Sequence, residues 1–195
     1  AFFQAIVRRF KHHKNLIWIV GEETEERYTA ARVNALAEII READDHGHAI
    51  GSHHLSGTTF KHWKPGGALG HFSMQLSARE DAAHAGAVEA LRKAEGRYQI
   101  IYAESTAMPF DGVGMRRHAW SVAMGGLMPM LLRMDIAGTS PETLQQCRIL
   151  QRFFESTDFH RLSPHDELRH GETKFVLANP GRSYIAYADG LVSQL

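Results

Sequence analysis

The sequence predicts an α/β fold: a parallel sheet built from strand–helix repeats, followed by the start of an antiparallel β unit. Three observations carry this. Strand-like and helix-like patterns alternate five times along the chain, which calls for βαβ units and parallel pairing. The run Leu16-Ile17-Trp18-Ile19-Val20 is apolar throughout before it stops at Gly21, as suits a strand buried on both faces. Near the other end, two short strand-like runs flank Asn179-Pro180-Gly181, a turn sequence that joins antiparallel strands.

Taken in order, Ala1 to Lys14 places Phe2, Ile6 and Phe10 at helical spacing and gathers basic residues toward its end, where the helix dipole favours them. Leu16 to Gly21 is the first strand. Thr29 to Asp44 is a second helix, with Ala30, Val33, Leu36, Ala37 and Ile40 on one stripe. Ala49 to His53 reads as a short strand, and the turn-rich stretch from Leu55 to Gly70 is expected to hold one helical turn at Phe60 to Trp63. His71 to Gln75 is the third strand. Ala82 to Ala94 is a helix with Ala87, Leu91 and Ala94 on one face. Gln99 to Ala103 is the fourth strand and delivers Glu104 to its end. Val113 to Met124 reads as a helix, and Met124 to Leu132 as a fifth strand. Glu142 to Glu155 follows Pro141, a residue well tolerated at a helix start. The tail hairpin pairs Phe175 to Ala178 with Ser183 to Ala188.

Two architectures accommodate these elements. One is an open, doubly wound sheet of five strands. The other is the C-terminal part, strands 4–8, of a (β/α)8 barrel, a fold that usually needs about 250 residues. No glycine-rich phosphate loop follows any strand: Gly66-Gly67 and Gly125-Gly126 lack the spacing of a dinucleotide fingerprint. That weakens the doubly wound option. The expected division is 1–162 for the partial barrel and 163–195 for the beginning of a C-terminal β-sandwich. Residue 1 already lies inside an amphipathic pattern, with neither an initiator Met nor a signal segment before it. A piece of a larger protein is therefore expected, the N-terminal half of the barrel lying upstream.

Lys plus Arg and Asp plus Glu each total 22 of the 195 residues, so no net field favours nucleic acid or an anionic membrane as partner. No apolar run approaches the ~18 residues that would span a bilayer. The lone Cys147 cannot form an internal disulfide.

Candidate chemistry lies at the strand ends, where α/β folds place it. Glu22 and Glu23 follow the first strand at once, and Glu104 ends the fourth. Glu23 and Glu104 should therefore project from one rim, with two strands between them. Paired rim carboxylates suit glycoside hydrolysis, in which one protonates the leaving oxygen and the other stabilises an oxocarbenium-like centre. The competing expectation is two rim carboxylates paired with Arg27 or Arg116, or an acidic solvated turn continued by Glu25 and Glu26. The thirteen His residues show no zinc-site spacing, so neither a metal nor a cofactor is expected.

Several segments resemble the apiosidase-like glycosidases: Arg9-Phe10-Lys11-His12-His13; Trp18-Ile19-Val20-Gly21-Glu22-Glu23; and the helix ending at Asp44 with His48-Ala49-Ile50-Gly51-Ser52-His53. So do Ser73-Met74-Gln75, Ala103-Glu104-Ser105, Phe153-Phe154-Glu155-Ser156 and the hairpin from Lys174 to Asp189. The resemblance implies a (β/α)8 protein of the retaining-glycosidase clan, often joined to a C-terminal domain of collagen-binding type and secreted or periplasmic. It implies Glu23 as acid/base, Glu104 as nucleophile and a carbohydrate substrate. Two departures stand out. Glu22 occupies the usual Asn position, and the presumed eighth strand offers Met128, Pro129 and Met130 in place of an aromatic sugar platform. They keep open an alternative, a barrel that binds sugar or serves a structural role without catalysis. His53 and Gln75 end neighbouring strands and are candidates for binding sugar hydroxyls, with Arg116 and Glu22 beside them. On an extended chain adjacent residues face opposite ways, so only one of Glu22 and Glu23 is expected to aim into the mouth.

Overall fold

The computed structural model describes residues 1–54, 57–105, 107, 112–130 and 137–188. Helix α1 spans Phe2–Phe10, β1 Ile17–Ile19, α2 Ala30–Ala43, β2 Ala49–His54, β3 His71–Gln75, α3 Glu80–Ala94, β4 Gln99–Glu104, α4 Gly112–Met124, β5 Met128–Pro129 and α5 Pro141–Glu155. Strands β6 Ser163–Pro164, β7 Thr173–Asn179 and β8 Ser183–Ala188 follow. The first five strands form one sheet in the order β1-β2-β3-β4-β5, and every neighbouring pair is parallel. The order does not reverse, as that of a doubly wound sheet does at its switch point. The last three form a separate antiparallel sheet.

Register divides the parallel sheet into two faces. One carries Trp18, Ile50, Phe72, Met74, Ile100 and Tyr102. It is sealed by Val33, Leu36, Ala37 and Ile40 of α2 and by Ala83, Ala87, Ala90 and Ala94 of α3. Each large side chain buried in this way stabilises the fold by roughly 1.5–3 kcal/mol relative to exposure. The other face carries His53, His71, Ser73 and Gln75 at the centre, with Ile17 and Ile19 about 40% exposed on β1.

Local signals explain the helix ends. Thr29 caps α2 by accepting a bond from the Arg32 amide, and Ser140 caps α5 through the Thr143 amide, with Pro141 in the first turn. Asp44 closes α2 and ties it to the sheet. It accepts from Trp18 Nε1 at 2.8 Å, from the His46 and His48 amides, and lies 2.9 Å from His48 Nδ1. Burial works against this carboxylate, but these donors outweigh it and hold its pKa below the usual value.

The long connection between β2 and β3 is held from several sides. Phe60, Trp63, Phe72 and Tyr98 stack into one aromatic group. Trp63 Nε1 donates to the His71 carbonyl, and Asn34 Nδ2 to the His62 carbonyl. The expected turn at Phe60 to Trp63 forms through the Trp63 amide and the Phe60 carbonyl; the stretch's first two residues, 55 and 56, lie outside the described residues.

Three expectations are corrected. Helix α1 ends at Phe10, short of Lys14, and continues only as a turn. The first strand is Ile17–Ile19 within the expected Leu16 to Gly21. The fifth strand spans two residues: Met124 is the buried last residue of α4, and Gly126, at φ 85°, turns the chain into β5. Leu131 and Leu132, expected in that strand, lie outside the described residues, as does Asp189 at the end of the hairpin. Strand β6 was not expected, being too short to show alternation.

The antiparallel sheet packs on the helices. Met115, Ala119, Ala123 and Met124 of α4, Leu150 and Phe154 of α5, and Phe175 and Leu177 of β7 form one apolar cluster. His84 of α3 joins the units: its ring stacks on Phe175, Nδ1 meets the Ser121 carbonyl at 3.0 Å, and Nε2 meets Asp166 Oδ2 at 2.7 Å.

Candidate active site at the carboxyl edge of the parallel sheet

Beyond the carboxyl ends of β1, β2 and β4, three side chains converge. His53 lies with its Nδ1 3.9 Å from Glu22 Oε1 and its Nε2 4.0 Å from Glu104 Oε2. One ligand-capable atom from each of Glu22, His53 and Glu104 falls within 4.8 Å of the others. His53 is 7% exposed, whereas the side chains of Glu22 and Glu104 are 77% and 40% exposed. The histidine is thus a fixed floor between two solvent-facing acids. Carboxylate charges 4.8 Å apart repel by about 1 kcal/mol in bulk water, and by ~3.5 kcal/mol at the effective dielectric of 20 typical near a protein surface. The exposure of Glu22 favours the lower figure.

A register change aims Glu104. Along β3 and β4 the pairs run His71 with Gln99, Phe72 with Ile100, Ser73 with Ile101 and Met74 with Tyr102, but Gln75 then pairs with Glu104. One residue of β4, Ala103, is skipped. Without that bulge, simple alternation would turn Glu104 toward the helix-covered face with Tyr102; with it, Glu104 joins Gln75 on the polar face. Gln75 Nε2 donates to Glu104 Oε1 at 3.5 Å, a long bond that still orients the acid.

A second local irregularity separates Glu22 from Glu23. Pairing to β2 continues past β1, through the Val20 amide to the Gly51 carbonyl and the His53 amide to the Gly21 carbonyl. Glu23 then adopts φ 44° and ψ 46°, the left-handed region, which costs a non-glycine residue roughly 1–2 kcal/mol. What offsets this lies one residue on. Buried Thr24 brings its hydroxyl 2.6 Å from Ser52 Oγ and 3.2 Å from His62 Nδ1. The chain is therefore not extended here, and the expectation that Glu22 and Glu23 simply alternate between faces does not apply. Glu22 belongs to the group around His53; Glu23 is half-buried at the start of the turn Thr24–Glu26 and does not.

The remaining expected residues divide. Gln75 is buried beside Glu104. Arg116 lies exposed on α4, and the described contacts of Glu104 are with Gln75 and His53. His53 and His54 do face opposite ways: His54 packs on Phe72 across the sheet and pairs with Glu25 Oε1 at 2.5 Å. Met128 and Met130 are the large exposed side chains at β5. Sequence reasoning passed over His71 and named Ser73 only within a segment of the family resemblance; the two continue the polar face beneath Gln75 and lie 3.1 Å apart. The signal for them was their position at every second residue of β3. A separate apolar recess of about 520 Å³, walled by Met128, Pro129, Leu150, Phe154 and Phe159, includes none of the site residues.

No protein-family model matches the chain, and no curated protein matches it. Among solved structures the chain is similar to a crystal structure from Bacteroides vulgatus, provisionally described as a glycoside hydrolase. The TM-score is 0.65 and the identity 18%, over 88% of this chain. The chain spans 37% of that protein's length. Likeness at this identity is likeness of fold: this chain shares the fold of the part of that protein it matches.

Proposed function

We propose that this chain carries the catalytic edge of a retaining glycoside hydrolase acting on a polysaccharide or oligosaccharide, and that its parallel sheet is the wall of strands 4–8 of a (β/α)8 barrel. The observation that supports the reading best is a pair of carboxylates, from the ends of β1 and β4, with oxygens no more than 4.8 Å apart. Retaining enzymes hold their two carboxyl groups ~5–5.5 Å apart, and inverting ones ~6.5–9.5 Å, to admit a water. The sequential parallel order and the fold neighbour support the barrel.

In this reading Glu104 attacks the anomeric carbon, and a carboxylic acid on β1's end protonates the departing oxygen. The same group, now a carboxylate, then takes a proton from water as that water displaces Glu104. Gln75 holds Glu104 in place, and His53 braces the acids from below. The resemblance assigns the acid to Glu23; proximity to Glu104 favours Glu22.

The test uses the intact protein. Glu104→Ala should abolish turnover of every aryl glycoside, with activity partly restored by azide. The acid's Gln variant should slow substrates with poor leaving groups far more than activated ones. If Glu22→Gln shows this dependence and Glu23→Gln is silent, Glu22 is the acid; the converse result restores Glu23. Polysaccharide binding that survives Glu104→Ala, without hydrolysis in the wild type, would replace the enzyme by a non-catalytic sugar-binding barrel. The absence of an aromatic platform at Met128, Pro129 and Met130 is the feature that would favour it.

A further inference from the structure

We propose that the same edge binds a divalent transition-metal ion of the zinc type, held by His53 Nε2 with one oxygen each from Glu22 and Glu104. One donor atom from each of the three residues lies within 4.8 Å of the other two. His53 Nε2 faces Glu104 Oε2 at 4.0 Å and its Nδ1 faces Glu22 Oε1 at 3.9 Å, so the exposed Glu22 side chain swings from the Nδ1 side to complete the set. The second observation is His53 itself. Its Nε2 is buried without a hydrogen-bond partner, and its nearest carboxylate oxygen, Glu104 Oε2, stands at 4.0 Å, beyond hydrogen-bond reach. A buried polar atom normally has a partner. Here the spacing is too wide for direct contact and is suited to an ion between the groups.

Metal–nitrogen and metal–oxygen bonds of ~2.0–2.2 Å place tetrahedral ligand atoms about 3.4 Å apart, so ligand atoms now up to 4.8 Å apart draw together by up to about 1.4 Å. The exposed side chains of Glu22 and Glu104 can supply that movement while the buried imidazole stays fixed. The donor set names the class of ion. One imidazole nitrogen with two carboxylate oxygens suits zinc, cobalt and nickel; magnesium and calcium take oxygen alone, and thiolate-seeking ions find no sulfur. Two carboxylates match the ion's charge, and three protein ligands leave a position open to water. Gln75 Oε1, also buried without a partner, neighbours Glu104 and offers an acceptor for that water.

Binding of the ion does not depend on the glycosidase reading. Its consequence does: an ion on Glu104 competes with sugar for the proposed nucleophile, making the site inhibitory. Calorimetric titration with Zn²⁺ and visible spectra with Co²⁺, on protein stripped of metal, should give one tight site near neutral pH. His53→Gln and Glu104→Gln should each weaken it by at least the ~10–100-fold that even outer-sphere changes cause. Glu22→Gln, on a solvent-exposed side chain that folding does not need, should weaken it too and stands independent of any folding defect. Asp45→Asn with His46→Gln, which removes the two exposed members of the Asp44–Asp45–His46 group, should leave the tight site unchanged. Zn²⁺ affinity unaltered by Glu22→Gln and His53→Gln, or lost with Asp45→Asn and His46→Gln, would overturn the assignment. So would the absence of saturable binding. A protein that binds Zn²⁺ as described yet hydrolyses no glycoside would sink the enzyme reading and leave the metal site standing.

Discussion

Acidification from about pH 7 to about pH 5 should remove ~2 kcal/mol of folding stability through His118 alone. His118 of α4 is 1% exposed and packs edge-on against Tyr102 with centroids 5.5 Å apart. Burial pushes its pKa down to about 4, and the charge of Arg79 adds to the effect. An unfolded chain titrates a histidine near ~6.5. Between those values the unfolded state holds the proton and the folded state refuses it, so stability rises with pH. The contribution is fully present above about 6.5 and is lost as pH falls toward about 4, where the deficit reaches about 3 kcal/mol. His71 is lowered by burial, against a side-chain bond that Gln99 accepts from it; His62 is lowered by burial, against the nearby charge of Glu25. Both act with the same sign, so the wild type should lose more than His118 accounts for. The assay is urea unfolding across this range for the wild type and His118→Gln. The variant begins less stable, having lost its packing on Tyr102, but should decline less steeply, by ~2 kcal/mol over the interval. Parallel curves would refute the reasoning, since a side chain that cannot titrate would then make no difference.

Two further outcomes follow from packing. Gly51→Ala should destabilise by at least ~1–3 kcal/mol, measured by the same unfolding midpoint. A Cβ there would lie 2.6 Å from His71 Cδ2 and 2.7 Å from the His71 carbonyl oxygen, and the backbone of β3 cannot yield. His84→Ala should loosen the antiparallel sheet, because it removes the ring's contacts to the Ser121 carbonyl at 3.0 Å and the Asp166 carboxylate at 2.7 Å. The loss is roughly 2–3 kcal/mol for hydrogen bonds of this charged kind, and amide exchange of Val176, bonded to Asp166, should rise first.

The elements were legible where periodicity is long. Helices α2, α3 and α5 carry apolar stripes over several turns, and β3 matches its expected limits, His71 to Gln75. Legibility failed where an element is too short to repeat a pattern. Two-residue β5 and β6 are strands only because Tyr102 and Ile101, or Leu177 and Ala178, stand beside them to pair. That is information from elsewhere in the chain. The three-residue group Glu22–His53–Glu104 was likewise invisible to motif spacing. Its members come from three separate strands, and parallel pairing alone brings them to one edge.

The site turns on two departures from regular strand geometry, and both reverse what alternation would imply. Counting by twos along β1 places Ile17, Ile19, Gly21 and then Glu23 on the polar face; counting along β4 places Gln99, Ile101 and then Ala103 there, leaving Glu104 outside. The left-handed turn at Glu23 interrupts the first count, and the skipped Ala103 shifts the second. The first irregularity lies just past β1 and the second at the end of β4, where ladder bonds end and a deviation disrupts least. Glu104 was a candidate because it ended a buried strand, although the period of the strand argued against its direction. Glu23 was preferred to Glu22 on the family resemblance, which carries no information about the left-handed turn at Glu23. The geometry therefore weighs against a choice made on alternation alone, and the Gln variants of Glu22 and Glu23 test that weighing directly.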